Sequence, residues 1–183
     1  MNDKQRIFLI GPMGAGKTTV GKKLAQVLGL HFFDSDRVIE ERTGASIPLI
    51  FDVEGETGFR RREADVIDEL SQLDGVVLAT GGGAVITPEN REHLRTRGKV
   101  IYLQVSVDRQ VERTRHDRNR PLLQTEDPRA RLEALSRERE PLYRATAHVT
   151  ISTESGSLAQ VLRDIQQWLQ ASAPPAQSAE DLR

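Results

Sequence analysis

The chain contains no cysteine, so neither a disulfide nor a thiolate, as nucleophile or metal ligand, is open to it. Aromatic residues are scarce, 4% of 183, which leaves no ladder of rings on which nucleobases could stack. Charge of one sign is lacking too: 26 Lys and Arg face 27 Asp and Glu, and at net −1 no overall field gathers nucleic acid or a membrane surface. No apolar run exceeds about five residues, far short of the roughly 20 that span a bilayer. The polar start, MNDKQR, leads straight into an apolar run and carries no export-signal pattern, so the expectation is a cytoplasmic protein. His31, His93, His116 and His148 are scattered without metal-ligand spacing and are read as structural or surface groups. The length fits one domain over residues 1–170. The Pro/Ala/Ser-rich stretch 171–183 is expected to be a disordered tail.

What the chain does have is RIFLIGPMGAGKTTVGKKL at residues 6–24. Four apolar residues, Ile7, Phe8, Leu9 and Ile10, are followed by Gly11, four residues, Gly16, Lys17 and Thr18, which is a phosphate-binding loop. An amphipathic segment with Val20, Leu24, Val27 and Leu28 on one stripe then reads as a helix. Glycines let successive N–H groups turn toward phosphate oxygens. Lys17 places a point charge on the β and γ phosphates, the Thr18 hydroxyl can hold Mg²⁺, and the helix dipole supports the same anion. The expectation is a protein that binds a nucleoside triphosphate.

Along the rest of the chain, short apolar runs at 31–33, 76–79, 100–103 and 148–151 alternate with periodic segments at 17–29, 37–43, 57–73, 88–96, 106–115, 128–145 and 157–170. Such alternation predicts an α/β fold, a parallel sheet with helices on both faces. Thr87 before Pro88 marks a helix start, and Ser106 and Ser157 read as caps.

A phosphate loop does not by itself decide among motors, GTPases and kinases. Here the run at 76–79 leads into Thr80-Gly81-Gly82-Gly83 instead of ending on the Asp that many ATPases use for Mg²⁺. No guanine-reading N-K-x-D is present, and the chain is too short for motor modules. A compact kinase acting on a small acceptor remains. The missing acid is supplied after the second run, where Asp34 and Asp36 stand two residues apart at a sheet edge that would face the nucleotide. One carboxylate can serve Mg²⁺ and the other can orient a hydroxyl and take its proton. A competing reading, capping of the helix that follows, applies to at least one of them.

The blocks GPMGAGKTT (11–19), FDSD (33–36), GFRRRE (58–63), ATGGG (79–83), RPLL (120–123) and REPLY (139–143), in this order, resemble the shikimate kinase family from residue 7 to 169. The resemblance implies transfer of the γ-phosphate of ATP to the 3-hydroxyl of shikimate, a step toward chorismate and the aromatic amino acids. It implies a three-layer α/β/α P-loop fold with five parallel strands in the order 2-3-1-4-5, and a mobile lid at about 116–127.

Residue roles follow from the same resemblance. Gly14, Ala15, Gly16, Lys17, Thr18 and Thr19 hold the nucleotide, and Thr18 and Asp34 serve Mg²⁺. Asp36 is the hydroxyl ligand and catalytic base, Arg60 and Arg139 fork onto the shikimate carboxylate, and the backbone of Gly82 approaches the acceptor. Arg120 swings over the phosphates. A guanidinium suits carboxylate recognition because it offers two parallel hydrogen bonds where lysine offers one point charge. For Arg60 the plain alternative is an exposed helix arginine paired with Glu56 or Glu63. The family's adenine-contacting loop corresponds to 152–157, where this chain departs by lacking arginine and glutamine; only Ser157 is assigned there. The expected partner is a small molecule, with no nucleic acid or membrane, and a monomer is expected. The rivals are a kinase for an acyclic hydroxy acid, such as gluconate kinase, and a regulatory module that has kept the fold.

Overall fold

The computed structural model describes residues 4–116 and 121–172. Five strands, β1 (Arg6–Ile10), β2 (His31–Asp34), β3 (Val76–Ala79), β4 (Lys99–Gln104) and β5 (Val149–Ser152), lie parallel in the order β2-β3-β1-β4-β5. This is the order the resemblance implies. Seven helices are described: α1 (Lys17–Leu28), α2 (Ser35–Thr43), α3 (Ile47–Leu70), α4 (Pro88–Arg97), α5 (Val107–Thr114), α6 (Pro128–Thr146) and α7 (Leu158–Ala171).

The strands are apolar throughout because both faces of the sheet are covered. Phe8, Ile10, Val76, Leu78, Val100 and Tyr102 point to one side, where Phe59, Val66 and Ile67 of α3, Leu94 of α4 and Tyr143 of α6 meet them. The alternate residues Ile7, Leu9, Val77, Ile101 and Leu103 point to the other, against Val20 and Leu24 of α1 and Val161, Ile165 and Leu169 of α7. Each fully buried Leu, Ile or Phe contributes roughly 1.5–3 kcal/mol. His148 extends the β4–β5 pairing, with its backbone N–H donating to the Val100 carbonyl (2.8 Å) while its Nδ1 accepts the Val100 N–H (2.9 Å). That acceptor role needs a neutral ring, and burial lowers the His148 pKa.

Three local expectations are corrected. The helix expected at 57–73 begins ten residues earlier, at Ile47, with the Ser46 hydroxyl accepting the Leu49 N–H (3.4 Å) and Pro48 in the first turn. It breaks at Gly55 (φ 70°, ψ 178°), a conformation that suits glycine. Its first part leaves Leu49 and Val53 50% and 74% exposed, so it has no regular apolar face to read. Val27, expected on the buried stripe of α1, is 49% exposed. Thr87 makes no capping side-chain bond, and Pro88 alone marks the start of α4. Ser106 and Ser157 do cap, each accepting the N–H three residues on, from Arg109 and Gln160 (both 3.2 Å).

Strand register is what builds the site. Leu9, Ala79 and Asp34 lie side by side across β1, β3 and β2. The phosphate loop, the triglycine turn and Asp36 therefore leave the sheet together at its carboxyl edge, the edge where ligands of open α/β sheets bind.

Candidate active site

The loop between β1 and α1 is shaped by glycine. Gly11 has φ 146°, and a Cβ there would lie 2.5 Å from the Leu103 carbonyl oxygen, so no other residue fits. Gly16 (φ 90°) precedes α1, which has no side-chain cap and no acid in its first turn. The first amides of that helix are thus available to an anion. Gly14, Gly16, Lys17, Thr18 and Thr19 line the cleft beside this loop. Ala15 does not: it is 1% exposed, gives its N–H to the Pro12 carbonyl (3.2 Å) and accepts the Thr153 hydroxyl at its own carbonyl (2.9 Å). The Lys17 ammonium reaches back over the loop to the carbonyls of Gly11 (2.7 Å) and Pro12 (2.8 Å).

The two acids after β2 take different parts. Asp34 caps α2, its Oδ1 accepting the N–H groups of Asp36 (3.1 Å) and Arg37 (3.3 Å), while its Oδ2 accepts the Thr18 hydroxyl at 2.7 Å. The capping alternative therefore holds for Asp34, without removing it from the phosphate loop. The Asp36 carboxylate turns instead toward the triglycine turn, where a Cβ on Gly81 would lie 2.7 Å from its Oδ1.

Beyond that turn lies a second cleft, lined by Asp36, Arg60, Glu63, Arg139 and the three glycines, with Phe51 and Phe59 as apolar wall. The glycines allow the charged groups to close in. A Cβ on Gly83 would fall 2.6 Å from Arg60 Cζ, one on Gly81 would fall 3.0 Å from Glu63 Oε2, and one on Gly82 would fall 3.8 Å from Arg139 Nη1. Arg60 is paired with Glu63 (2.8 Å) and Glu56 (3.2 Å), so the pairing that sequence alone offered as the alternative is real. The Arg60 side chain is nonetheless only 14% exposed, stands 5.2 Å from the Phe59 ring centre and lines the cleft.

Burial pushes the Glu63 carboxyl up to about 7; Asp36 pushes the same way, while Arg60 and Arg139 pull it down. Arg139, 5% exposed, forms no ion pair among the described residues, and its Nε has no hydrogen-bond partner there. Its charge is felt by Glu63 and by the Tyr143 phenol, and a buried cation of this kind can take a further anion. The two clefts share Asp36, Ile47, Gly81 and Gly82.

Asp34, Asp36, Arg60, Gly82 and Arg139 are thus brought together around the phosphate loop. Ser157 is not: its hydroxyl caps α7 and it does not line the phosphate cleft. Arg120 and residues 117–119 of the expected lid, like residues 173–183 of the expected tail, lie outside the described residues.

Three residues of the site escaped sequence reading. Glu63 was visible only as a partner for Arg60, not as a fully buried acid. Arg113 links the Gly14 carbonyl (2.8 Å) to the Thr153 carbonyl (2.9 Å), tying the phosphate loop to the loop after β5. Nothing in the sequence separates it from the other arginines of 109–120. The Tyr143 hydroxyl donates to the Gly82 carbonyl from 61 residues away, a contact that only the tertiary fold creates.

Among the described residues no group of three or more His, Cys, Asp or Glu side chains could hold a metal, and no helix is long and apolar enough to cross a membrane.

Comparison with known proteins points to one family. The sequence model of one family, shikimate kinase, matches residues 13–170. The shikimate kinase of Halorhodospira halophila is 62% identical over 165 residues, 90% of this chain and 93% of that protein. That of Methylococcus capsulatus is 58% identical over 165 residues, 90% of this chain and 92% of that protein. Among solved structures, shikimate kinase from Acinetobacter baumannii in complex with shikimate is similar at TM-score 0.90 and 50% identity, over 93% of this chain and 95% of that one.

Proposed function

The chain belongs to the shikimate kinase family and is an ATP-dependent enzyme that phosphorylates shikimate, and on that footing we propose which of its groups carry the reaction. The observation that carries the assignment is the seam between the two clefts: Asp36, Gly81 and Gly82 belong to both, so an acceptor held by the arginines presents its hydroxyl to whatever the phosphate loop holds.

Arg60 and Arg139 grip the shikimate carboxylate, each guanidinium offering donors in a planar fork. The Gly82 N–H takes a hydroxyl or carboxylate oxygen where a side chain would block approach. Asp36 accepts a hydrogen bond from the 3-hydroxyl, orients it in line with the γ-phosphorus, and takes its proton. The new P–O bond forms to that oxygen as the bond to the β–γ bridging oxygen breaks, and ADP leaves. Lys17 and the amides of Gly14 and residues 16–19 stabilise charge on the phosphates, since positioning and charge stabilisation supply most of the rate in such transfers. Arg120 is assigned to the same charge by the resemblance alone.

Thr18 and Asp34 fit Mg²⁺: two hard oxygen groups beside the phosphate loop match an ion that takes one or two protein oxygens, phosphate oxygens and water. Bound there, it would neutralise charge on the β and γ phosphates. The co-substrate, ATP, is held inside cells, which supports a cytoplasmic place.

An ADP-release assay with ATP and Mg²⁺ across shikimate, quinate and gluconate tests the acceptor. Turnover is expected with shikimate, and gluconate turning over as fast would overturn the ring-acid assignment.

A further inference from the structure

The triglycine turn is tied down at successive peptides. The Gly81 N–H donates to the buried Ser35 hydroxyl at 3.1 Å. The Ala84 N–H donates to the Gly81 carbonyl at 3.1 Å, closing a four-residue turn with Gly82 and Gly83 at its centre. The Ile86 N–H donates to the Gly83 carbonyl at 3.0 Å. Gly83 has φ −97° and ψ 3°, close to the third position of a type I turn. Neither Gly82 nor Gly83 has positive φ.

Such a turn has one characteristic way to fail. Its central peptide can flip to the type II form, which needs positive φ at the third position and therefore glycine there. With glycine at both central positions that flip meets little steric resistance. The group opposing it is the Tyr143 phenol, which donates to the Gly82 carbonyl, the carbonyl of the central peptide. Tyr143 is 2% exposed, its ring stacks on Tyr102 (centroids 5.0 Å, 24°), its phenol also lies against Arg139, and it is not part of the lining of the acceptor cleft. A trans peptide points its carbonyl and N–H in opposite directions. A flip would thus carry the Gly82 carbonyl oxygen to the side now held by the Gly83 N–H, and Gly83 lines the acceptor cleft against Arg60. Arg139 lies one helical turn before Tyr143 on α6, so one stretch of helix presents a cation to the cleft and a lock to the turn beside it.

We infer that Tyr143 is a positioning residue for the acceptor, holding the Gly81–Ala84 turn in its type I form so that its central peptide keeps its carbonyl out of the shikimate cleft. The inference rests on the reading of that cleft as the shikimate site.

Tyr143→Phe keeps the ring stack but removes both the bond to the Gly82 carbonyl and the contact of the phenol with Arg139. Its shikimate Kd by calorimetry and its shikimate KM are expected to rise about tenfold, as for loss of one buried hydrogen bond. KM for ATP stays within about twofold, and kcat at saturating shikimate falls much less than kcat/KM. Tyr102→Phe, which removes a phenol from the same stack without touching Gly82, leaves all four values near wild type. The effect of Tyr143→Phe is expected to persist in an Arg139→Ala background, and its disappearance there overturns the inference. Unchanged shikimate Kd in Tyr143→Phe overturns the inference, as does a parallel rise in KM for ATP. Collapse of the fold overturns it too, since it makes the phenol a stability element. Arg60→Ala separates the two levels: if it leaves shikimate binding intact, the cleft reading fails; if it weakens binding and Tyr143→Phe does not, only the positioning role fails.

Discussion

Arg60 and Glu63, one turn apart on α3, are joined at 2.8 Å, with the carboxylate fully buried and the guanidinium 14% exposed. Both residues line the cleft beside the triglycine turn. A guanidinium held by a buried acid is already aimed when a second carboxylate arrives, so little side-chain entropy is lost on binding. The same acid partly offsets the positive charge of Arg60, while Arg139, which forms no ion pair among the described residues, adds a second cation to the cleft.

Removing the Arg60 guanidinium should therefore be felt first in binding. In Arg60→Ala, shikimate affinity measured by calorimetry is expected to weaken by about 2–5 kcal/mol, the cost of leaving a buried charge unpaired. Unchanged affinity takes Arg60 out of the site.

The raised pKa of Glu63 has a consequence for stability. An unfolded glutamate titrates near 4.5 and the folded one at about 7, so between these values the folded protein keeps a proton that the unfolded chain has released. The stabilisation from this group is complete below the lower value and is lost as pH rises through the upper one. Glu63→Gln has no such titration. Melting temperatures of the two proteins, compared from about pH 5 to about pH 8, should show wild type losing ground to the variant as pH rises and the difference levelling above 7. A difference that grows in favour of wild type with rising pH contradicts the buried-acid account.

Lys17, stretched over the loop to the carbonyls of Gly11 and Pro12, is already placed at the anion site. Lys17→Ala is expected to abolish turnover while shikimate binding in the absence of nucleotide stays near wild type. Near-normal turnover refutes its role.

Legibility in the sequence followed the physics of burial. β1, β3 and β4 are covered on both faces, so they read as unbroken apolar runs whose ends fall within a residue or two of the observed strands. The phosphate loop was legible because its chemistry demands fixed residue types at fixed spacing. The first part of α3 was not, because it exposes Leu49 and Val53 and breaks at Gly55. Arg60 and Arg62 look alike in a run of arginines; one pairs with fully buried Glu63 and the other with partly exposed Glu54, and only packing tells them apart. Family resemblance is what singles out Arg60 and Arg139 in the sequence, and the fold puts them around one turn. Tyr143 and Arg113 act on backbone carbonyls distant in the chain, for which the sequence carries no local sign.

The mechanism turns on one carboxylate, Asp36, serving both clefts, and Asp36→Asn removes its charge while keeping its shape. Shikimate-dependent ADP release should fall by about 100-fold or more, the usual effect of losing a general base that also orients its hydroxyl, while ATP binding by titration is retained. Turnover within about threefold of wild type would contradict this mechanism.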